Sequence, residues 1–354
     1  MWQSKEPWLF RKESQIIMTD FLRLRHRLIP YLYSMNVRSA SEDETLVQPM
    51  YWDYPEIEDA YSVPNQFFFG SELLVAPIVK PRNLTTGLAS VKAWFPPGHR
   101  YVDIFTGIVY DGNRTLNLYR KLDEYPVFAA EGSIIPLDAA AEPKNGARNP
   151  EGFEVLVVVG KNAQFSILED PEDDSPEAHS TAPESGERGS LVQYYQDEGK
   201  LSAKVTGRAW TFRFVALCNV KLEEVKVLVN GEISKDADVE IQVYPQLPSF
   251  VVKLPALEGK SDIEIHVGKD PQLSIFDVKA RLFRLMLDFQ TPFHIKDQIW
   301  YVIDAGFVPF GSAKGGAQHH TPFTVNVGQL LALGLDEAVI GVVCELLLAD
   351  SRDT

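Results

Sequence analysis

The feature that most constrains the fold is a run of short apolar segments between residues 66 and 137, bounded by proline and glycine. Phe67-Phe68-Phe69 is followed by a glycine, Leu73-Leu74-Val75 by Ala76-Pro77, and Trp94-Phe95 by two prolines and a glycine. Short apolar runs separated by turn residues are typical of strands in a β-sandwich or barrel. The pattern therefore predicts a sheet-built domain, and it places no catalytic residue within that domain.

Composition bounds the function classes. A chain of 354 residues with 45% hydrophobic residues is long enough for two or three domains with sizeable cores. Its net charge of −15 argues against nucleic acid as a partner, because a phosphate backbone requires clustered lysine and arginine. It also argues against an anionic membrane surface, and no apolar stretch approaches the roughly 20 residues that cross a bilayer.

The sequence leaves the compartment open. The stretch Met1 to Glu6 has no apolar signal core, although a secretory route remains open if an upstream part carries a signal. Asn83-Leu84-Thr85 and Asn113-Arg114-Thr115 fit the N-glycosylation pattern, which also arises by chance. The sequence therefore does not decide whether Asn83 and Asn113 are used, nor the oligomeric state.

The first strong element is a helix over about residues 14–38, where apolar residues recur at helical spacing. Ser14 is its expected N-cap, and Pro30 should kink it because proline lacks a backbone N–H. A helix this apolar on one side needs a partner sheet, and the residues before it supply almost none. We therefore interpret residues 1–64 as the end of a larger unit, followed by a wrapping segment.

The wrapping segment is aromatic and acidic and allows two interpretations. Tyr51, Trp52 and Tyr61 alternate with acids such as Asp53 and Glu56. These residues could form a sugar-stacking surface with paired carboxylates. We favour the alternative, in which the aromatic residues pack on the sandwich and the acids face water. The order of the acids does not match a calcium-binding loop.

A second sandwich is predicted at 150–268, after a surface linker over 139–146. An acidic insert at 169–189 has almost no apolar residues and should be mobile, because it cannot offset its ordering entropy by burial. Asn230-Gly231 is a good hairpin turn. The strands are expected at 153–159, 164–168, 201–205, 209–217, 223–229, 239–244, 250–254 and 263–267.

A helical extension is predicted over 270–354. From Ile275 onward, apolar residues recur every three or four positions, Pro292 should end the first helix, and Thr321-Pro322 should begin a later one. The helices are expected at 275–289, 295–303, 321–333 and 336–348. The last two are almost entirely apolar, so they must be covered. Docking within the chain is the default, and docking on a partner chain is the alternative.

The residues offer no nucleophilic, metal or phosphate site. Seven histidines accompany no nucleophile-elbow motif. His319-His320 lacks a third ligand, and the glycine-rich loop at 311–316 lacks the Gly-Lys-Ser/Thr ending of a phosphate-binding loop. Cys218 and Cys344 are too far apart in sequence for a disulfide framework or a metal cluster. We predict no cofactor and no metal.

General acid/base chemistry on a sugar requires two convergent carboxylates with separated pKa values. Glu6, Asp53 and Glu131 are available, but no spacing pairs them. The residues alone therefore predict no catalytic group.

Several motifs, in order, resemble glycoside hydrolase family 31. The stretches that carry the resemblance are Glu6-Pro7-Trp8, residues 24–33 (LRHRLIPYLY), 47–50 (VQPM), 53–55 (DYP), 65–77 (NQFFFGSELLVAP), 94–98 (WFPPG), 126–128 (PVF) and 132–136 (GSIIP). The similarity weakens in the second sandwich, where residues 165–170 resemble one strand of the family and the acidic insert replaces its usual continuation. The tail after residue 270 is similar to an extension of some fungal members.

The resemblance implies a retaining mechanism on α-linked oligosaccharides, as in α-glucosidases and α-xylosidases. In the family, one aspartate attacks the anomeric carbon and another protonates the leaving oxygen, both from loops of a (β/α)8 barrel. By this resemblance both belong upstream of Met1, so no catalytic or substrate-binding residue is assigned here.

The resemblance also implies a mainly β organisation in four parts. These are the last barrel helix within 1–64, a proximal antiparallel sandwich at 65–138, a distal one at 150–268 and the helical tail. The chain would be the C-terminal part of such an enzyme, without turnover by itself. It would dock on a barrel or a partner chain through the N-terminal helix and the C-terminal helices.

Two alternatives come from other classes of protein. A carbohydrate-binding module would use exposed aromatic residues such as Tyr51, Trp52 or Trp94. An interaction protein would use the apolar helices between 321 and 349 as its docking face.

Overall fold

A computed structural model describes residues 5–144, 148–170, 189–306 and 327–353. Two β-sandwiches lie between an N-terminal helix pair and a helical tail. The helices are α1 (Lys12–Arg27), α2 (Ile29–Glu42), α3 (Met50–Asp53), α4 (Glu58–Tyr61), α5 (Val278–Asp288), α6 (Phe293–Gly306), α7 (Val327–Ala332) and α8 (Glu337–Ala349).

The strands follow one another from the wrapping segment to the start of the tail. They are β1 (Val47–Pro49), β2 (Phe67–Phe69), β3 (Leu73–Val75), β4 (Ala89–Phe95), β5 (Arg100–Asp103), β6 (Val109–Asp111), β7 (Arg114–Arg120), β8 (Val127–Ala130), β9 (Ile134–Asp138), β10 (Gly152–Val157), β11 (Ala163–Leu168), β12 (Gly189–Tyr195), β13 (Lys200–Val205), β14 (Ala209–Val215), β15 (Lys226–Val229), β16 (Glu232–Ile233), β17 (Asp238–Gln242), β18 (Ser249–Leu254) and β19 (Ser261–His266).

The N-terminal helix differs from the expected single kinked helix over 14–38. It begins earlier, after Arg11, which makes no side-chain cap, so Ser14 lies inside α1 and does not cap it. The chain then forms two helices that meet at Leu28, with Pro30 in the first turn of α2. Because Pro30 has no N–H for the carbonyl four residues earlier, the helical hydrogen-bond ladder is interrupted there. The sequence predicted a kink at Pro30, and the structure has a complete break between two helices there.

The proximal sandwich pairs a six-stranded sheet with a two-stranded ribbon. The sheet has the order β1-β2-β3-β8-β5-β6, the ribbon is β4-β7, and every pair is antiparallel. Between them lies an aromatic core in which the Phe95 ring is 4.9 Å from those of Tyr110 and Phe128. The strands are short because proline and glycine interrupt them, as the sequence predicted.

The distal sandwich packs a five-stranded sheet on a six-stranded one. Their orders are β17-β18-β14-β10-β9 and β11-β12-β13-β19-β15-β16. The β10–β14 pair is parallel, and the other pairs are antiparallel. Alternate residues of β14, Trp210, Phe212 and Phe214, are fully buried, which is the period expected of a strand with one face on a core. The acidic insert falls largely on residues 171–188, which lie outside the described part.

The strand β9 crosses the expected boundary between the sandwiches. The sequence placed residues 134–138 at the end of the proximal domain, but β9 pairs with β10, from Ile134↔Val157 to Asp138↔Phe153. Both partners are apolar, so the pair is buried between the two units: Ile135 is 1% exposed and Val157 0%. The proximal segment therefore contributes an edge strand to the distal sheet.

The tail helices α5, α6 and α8 lie where helices were expected. The first begins later than predicted, because Asp277 caps it by accepting from the N–H of Ala280 at 2.8 Å. Ile275 precedes this cap and is 42% exposed, so it is not part of the apolar stripe. The expected start at Thr321-Pro322 lies outside the described residues. Among the helices described, none is both long and apolar enough to cross a membrane.

A buried charge network fastens α8 to the proximal sandwich. Glu345 Oε1 accepts from Arg120 Nη1 at 2.6 Å and from the Tyr110 hydroxyl at 2.7 Å, and Glu345 Oε2 accepts from the Tyr119 N–H at 2.6 Å. On its other side, Arg120 Nη2 donates to Asp103 Oδ2 at 2.9 Å. The side chains of Arg120, Asp103 and Glu345 are at most 1% exposed. Buried charges persist only when paired and hydrogen-bonded, so the tail completes this core.

The same helix approaches β7 very closely at Gly341. A Cβ atom there would lie 2.0 Å from the Tyr119 hydroxyl oxygen, so any other residue would require the Tyr119 ring to move. At the start of α8, Asp336 accepts from the Ala338 N–H at 2.9 Å and from Asn83 Nδ2 at 3.1 Å. The tail is therefore held along its whole last helix.

Replacing Glu345 tests the network. We expect Glu345→Ala to lower the free energy of unfolding by about 3–5 kcal/mol, because it leaves the Arg120 charge buried with half its partners. Urea unfolding followed by circular dichroism measures this change. The matched control is Glu224→Ala, which removes the exposed pair with Lys221 and should cost at most about 1 kcal/mol. Equal small losses in both variants would show that the network does not hold the tail.

Candidate functional site

A polar cleft of about 510 Å³ opens where the wrapping segment meets the rim of the proximal sheet. We call it the rim cleft. Residues 43–54 form one wall, and the turns at 70–72 and 130–133 together with β5 form the others. The one-turn helix α3 shapes it: it starts after Pro49, buries Met50 and leaves Trp52 exposed.

Two of the three carboxylates singled out from the sequence lie in this cleft. Asp53 and Glu131 both line it, whereas Glu6 lies elsewhere and precedes the helical turn Pro7–Leu9. Sequence spacing did not predict this convergence, because 78 residues and several strands separate the pair. The signal that was available is the strand-end position of Glu131 after β8.

Most cleft carboxylates are engaged in structural bonds. Glu131 accepts from the N–H of Arg100 at 3.0 Å, Glu44 pairs with Arg38 at 2.6 Å, and Glu72 accepts from the Ile134 N–H at 2.9 Å. A retaining glycosidase requires one free nucleophilic carboxylate and a second that carries a proton. Three of the five cleft carboxylates thus have structural partners, and the absence of a catalytic residue from this chain stays a prediction.

Burial sets the proton affinities in the cleft. Desolvation raises the pKa of Glu72 above its ordinary value although Ser71 and Ile134 donate to it, and partial desolvation raises the pKa of Asp53. For Asp53 no described residue offers a hydrogen bond or an ion pair. Burial and the Lys161 charge lower the pKa of His99, so its ring is neutral near pH 7. Asp53 is thus an acceptor with free capacity.

The aromatic residues of the wrapping segment do not all pack inward. Tyr54 does, with its ring edge-on to Trp94 at 5.3 Å. Trp52, however, is 65% exposed, and Tyr51 and Tyr61 stack on each other at 5.3 Å on the surface. The interpretation that these aromatics cover the sandwich is therefore wrong for three of them. A single helical turn cannot direct consecutive side chains to one core.

The remaining candidate residues are buried, engaged in other contacts, exposed or outside the described part. Trp94 is 1% exposed and cannot contact a ligand. His319-His320 and the loop 311–316 lie outside the described residues, and within the described ones no group of three His, Cys, Asp or Glu could hold a metal. Asn113 is exposed with φ +57°, whereas Asn83 is engaged with the tail. Their glycosylation stays a prediction.

A second cavity, apolar and about 560 Å³ in volume, lies under α1. It is bounded by the helix pair, the proximal sheet and the distal sandwich. At its charged end, Glu154 pairs with Arg27 of α1 and accepts from Arg213 Nε at 2.6 Å. Burial would raise the pKa of Glu154, but attraction to Arg213 and Arg27 and their hydrogen bonds outweigh it and hold this pKa below its ordinary value. This bridge ties α1 to the distal sandwich.

Two family models match the chain in tandem. Residues 43–135 match the glycosyl hydrolase family 31 C-terminal domain, and residues 1–35 match the TIM-barrel domain of glycosyl hydrolases family 31. Residues 43–135 are thus similar to a family 31 C-terminal domain, and the residues ahead of them to part of the family's TIM-barrel domain. This confirms the resemblance of the sequence motifs.

Relatives with curated names cover the same part. An α-xylosidase of Saccharolobus solfataricus is 28% identical over 166 residues, which are 47% of this chain and 22% of the relative. The α-glucosidase 2 of Bacillus thermoamyloliquefaciens is 31% identical over 236 residues, 64% of this chain and 28% of the relative. The chain therefore spans less than a third of either relative.

Solved structures of the family share the fold. The complex of ER glucosidase II, with its catalytic subunit and the binding domain of its regulatory subunit, superposes with a TM-score of 0.59. The match covers 75% of this chain and 30% of the other at 18% identity. At this identity the likeness concerns the fold, and it agrees with the two sandwiches, the helix ahead of them and the mainly β class.

The Glu154 bridge makes stability depend on pH. The pKa of Glu154 is lower in the folded state than in the unfolded state. The bridge therefore makes its full contribution to the free energy of unfolding above the unfolded carboxyl pKa of about 4.3, and this contribution is lost as pH falls through the lower folded-state pKa. We expect Glu154→Gln to be less stable than the parent at pH 6 and to approach it near pH 3. Urea unfolding across this range measures the gap.

The exposed Glu151 provides the control for this measurement. It pairs with Lys144 at 3.7 Å and both side chains are more than nine-tenths exposed. Glu151→Gln should therefore follow the parent at every pH. A gap for Glu154→Gln that stays constant with pH would contradict the assignment.

Proposed function

We propose that this chain is the C-terminal part of a retaining α-glycoside hydrolase of α-glucosidase or α-xylosidase type. The complete enzyme hydrolyses O-glycosyl bonds of α-linked oligosaccharides with carboxylates of a barrel that these residues do not include. The observation that carries the proposal is the tandem family match, barrel fragment first and C-terminal domain second. The function of this part is to support that barrel.

The helix pair is built to connect two bodies. Its inner side is in the core: Tyr31 and Met35 are at most 1% exposed, and the Tyr31 hydroxyl donates to the Phe69 carbonyl at 2.7 Å. Exposed apolar side chains also lie on α1 and in the residues just ahead of it, and we call them together the N-terminal apolar face. They are Trp8, Leu9, Phe10, Ile16 and Leu22, each 44–69% exposed. This face takes the remainder of the barrel, because fully burying each such side chain is worth about 1.5–3 kcal/mol.

The domain proposal follows the same division. Residues 1–64 are the barrel remnant and wrapping segment, 65–138 the proximal sandwich except that β9 (Ile134–Asp138) joins the distal sheet, 150–268 the distal sandwich and 270–354 the tail. The described part of the tail docks within the chain, since Val339, Val342 and Leu346 of α8 are buried on the proximal sandwich. A fungal origin stays a prediction.

Turnover is the direct test. The purified chain should show no hydrolysis of aryl α-glucosides or α-xylosides, whereas a fusion behind the barrel portion of the Bacillus α-glucosidase 2 should hydrolyse one of them. Circular dichroism and size-exclusion chromatography confirm that both proteins are folded. Turnover by the chain alone overturns the proposal.

The N-terminal apolar face can be tested separately. Leu22→Asp should change the unfolding free energy of the isolated chain by less than about 0.5 kcal/mol, since the side chain is exposed. In the fusion it should lower stability and activity, because the charge would be buried against the barrel. Leu222→Asp, on an equally exposed leucine of the distal sandwich, is the control and should be neutral in both proteins. Neutrality of Leu22→Asp in an active fusion would refute the docking face.

A further inference from the structure

The rim cleft has an aromatic wall that faces solvent. Trp52 lines the cleft and is 65% exposed, and the helical turn that carries it is anchored on both sides: Met50 is 1% exposed and Tyr54 packs on Trp94. The stacked and exposed pair Tyr51 and Tyr61 lies on the same wrapping segment, outside the residues that line the cleft. Clustered exposed aromatic side chains mark binding surfaces more often than isolated ones do. An exposed indole face on a fixed turn suits the flat C–H face of a pyranose ring.

The polar wall of the cleft suits a neutral ligand with hydroxyl groups. Glu44 and Glu131 are paired with Arg38 and Arg100, whereas Asp43 and Asp53, which also line the cleft, form no ion pair with a described residue. The cleft therefore disfavours anions and offers free acceptors to a hydroxyl-rich ligand. Asp53, next to Trp52, has free acceptor capacity and would repel an anion. The cleft volume of about 510 Å³ falls within the range of small-ligand sites, which is about 300–1,000 Å³.

We propose that the rim cleft is a sugar-binding site, in which Trp52 stacks on a pyranose ring of an α-linked oligosaccharide and Asp53 accepts hydrogen bonds from its hydroxyl groups. Gln48, which also lines the cleft, supplies an amide that can both donate and accept. The choice of α-linked sugars rests on the proposed function. The site itself consists of residues of this chain, so it binds without the barrel.

Binding to the full 354-residue chain tests the site. Maltotriose, isomaltotriose and a xyloglucan heptasaccharide are titrated by isothermal calorimetry, with tryptophan fluorescence as a second readout. We expect one of them to bind the parent chain. Trp52→Ala should weaken binding at least tenfold, and Asp53→Ala should weaken it about fivefold, the loss of one hydrogen bond of ordinary strength.

The control is Trp8→Ala, which removes an equally exposed tryptophan outside the cleft and should bind sugar as the parent does. The urea midpoints of all variants establish that they fold. No binding of any of the three sugars to the folded chain overturns the proposal, and so does binding that Trp52→Ala leaves unchanged. Tighter binding of spermidine than of sugar would also overturn it, since it would make the cleft a cation site.

The outcome is separable from that of the turnover test. Turnover by the fusion without sugar binding by the chain refutes the rim-cleft site and leaves the proposed function. Sugar binding that depends on Trp52, without turnover by a folded fusion, supports the site and counts against the enzyme.

Discussion

The pairing of Arg120 with acids from two distant parts of the chain is the constraint on which the proximal half depends. Asp103 belongs to the sheet and Glu345 to the last helix, and both contact one guanidinium that has no access to water. Asp103 also accepts from the N–H groups of Phe105 and Thr106, so its position is fixed by a turn. A charge this deeply buried is tolerable only with both acids present, which makes the tail part of the sandwich's core.

The bridge through Glu154 plays a comparable role at the other end. It joins Arg27 of the first helix to Arg213 of the distal sheet. Ion pairs of this kind add little net free energy compared with apolar packing, but they fix relative position, because a misplaced partner leaves a charge unpaired. The helix pair is thereby held in one orientation, in which Leu22 and the residues ahead of α1 remain exposed. That orientation is what the proposed barrel contact requires.

The sequence predicted the elements well and their assembly less well. Strand and helix positions follow local patterns, so β11, β14 and α8 were predicted close to their true bounds, whereas β12 was not predicted as a strand. The pairing of β9 with β10 depends on long-range contacts, and nothing in residues 134–138 distinguishes one sandwich from the other. The exposure of Trp52 was also missed, since composition cannot tell which side of one helical turn meets the core. The rim cleft, assembled from separate loops, has no local signature at all.

The strand exchange at β9 makes the two sandwiches one mechanical body. A cut in the linker between Asp138 and Gly152 would sever the covalent path, but the ladder between β9 and β10 would still hold the pieces together. Pulling the halves apart would instead expose a row of unpaired amides on β10, a surface prone to adhere to other strands. We therefore expect the two sandwiches to be retained or lost together in evolution, because neither half keeps a complete sheet without the other.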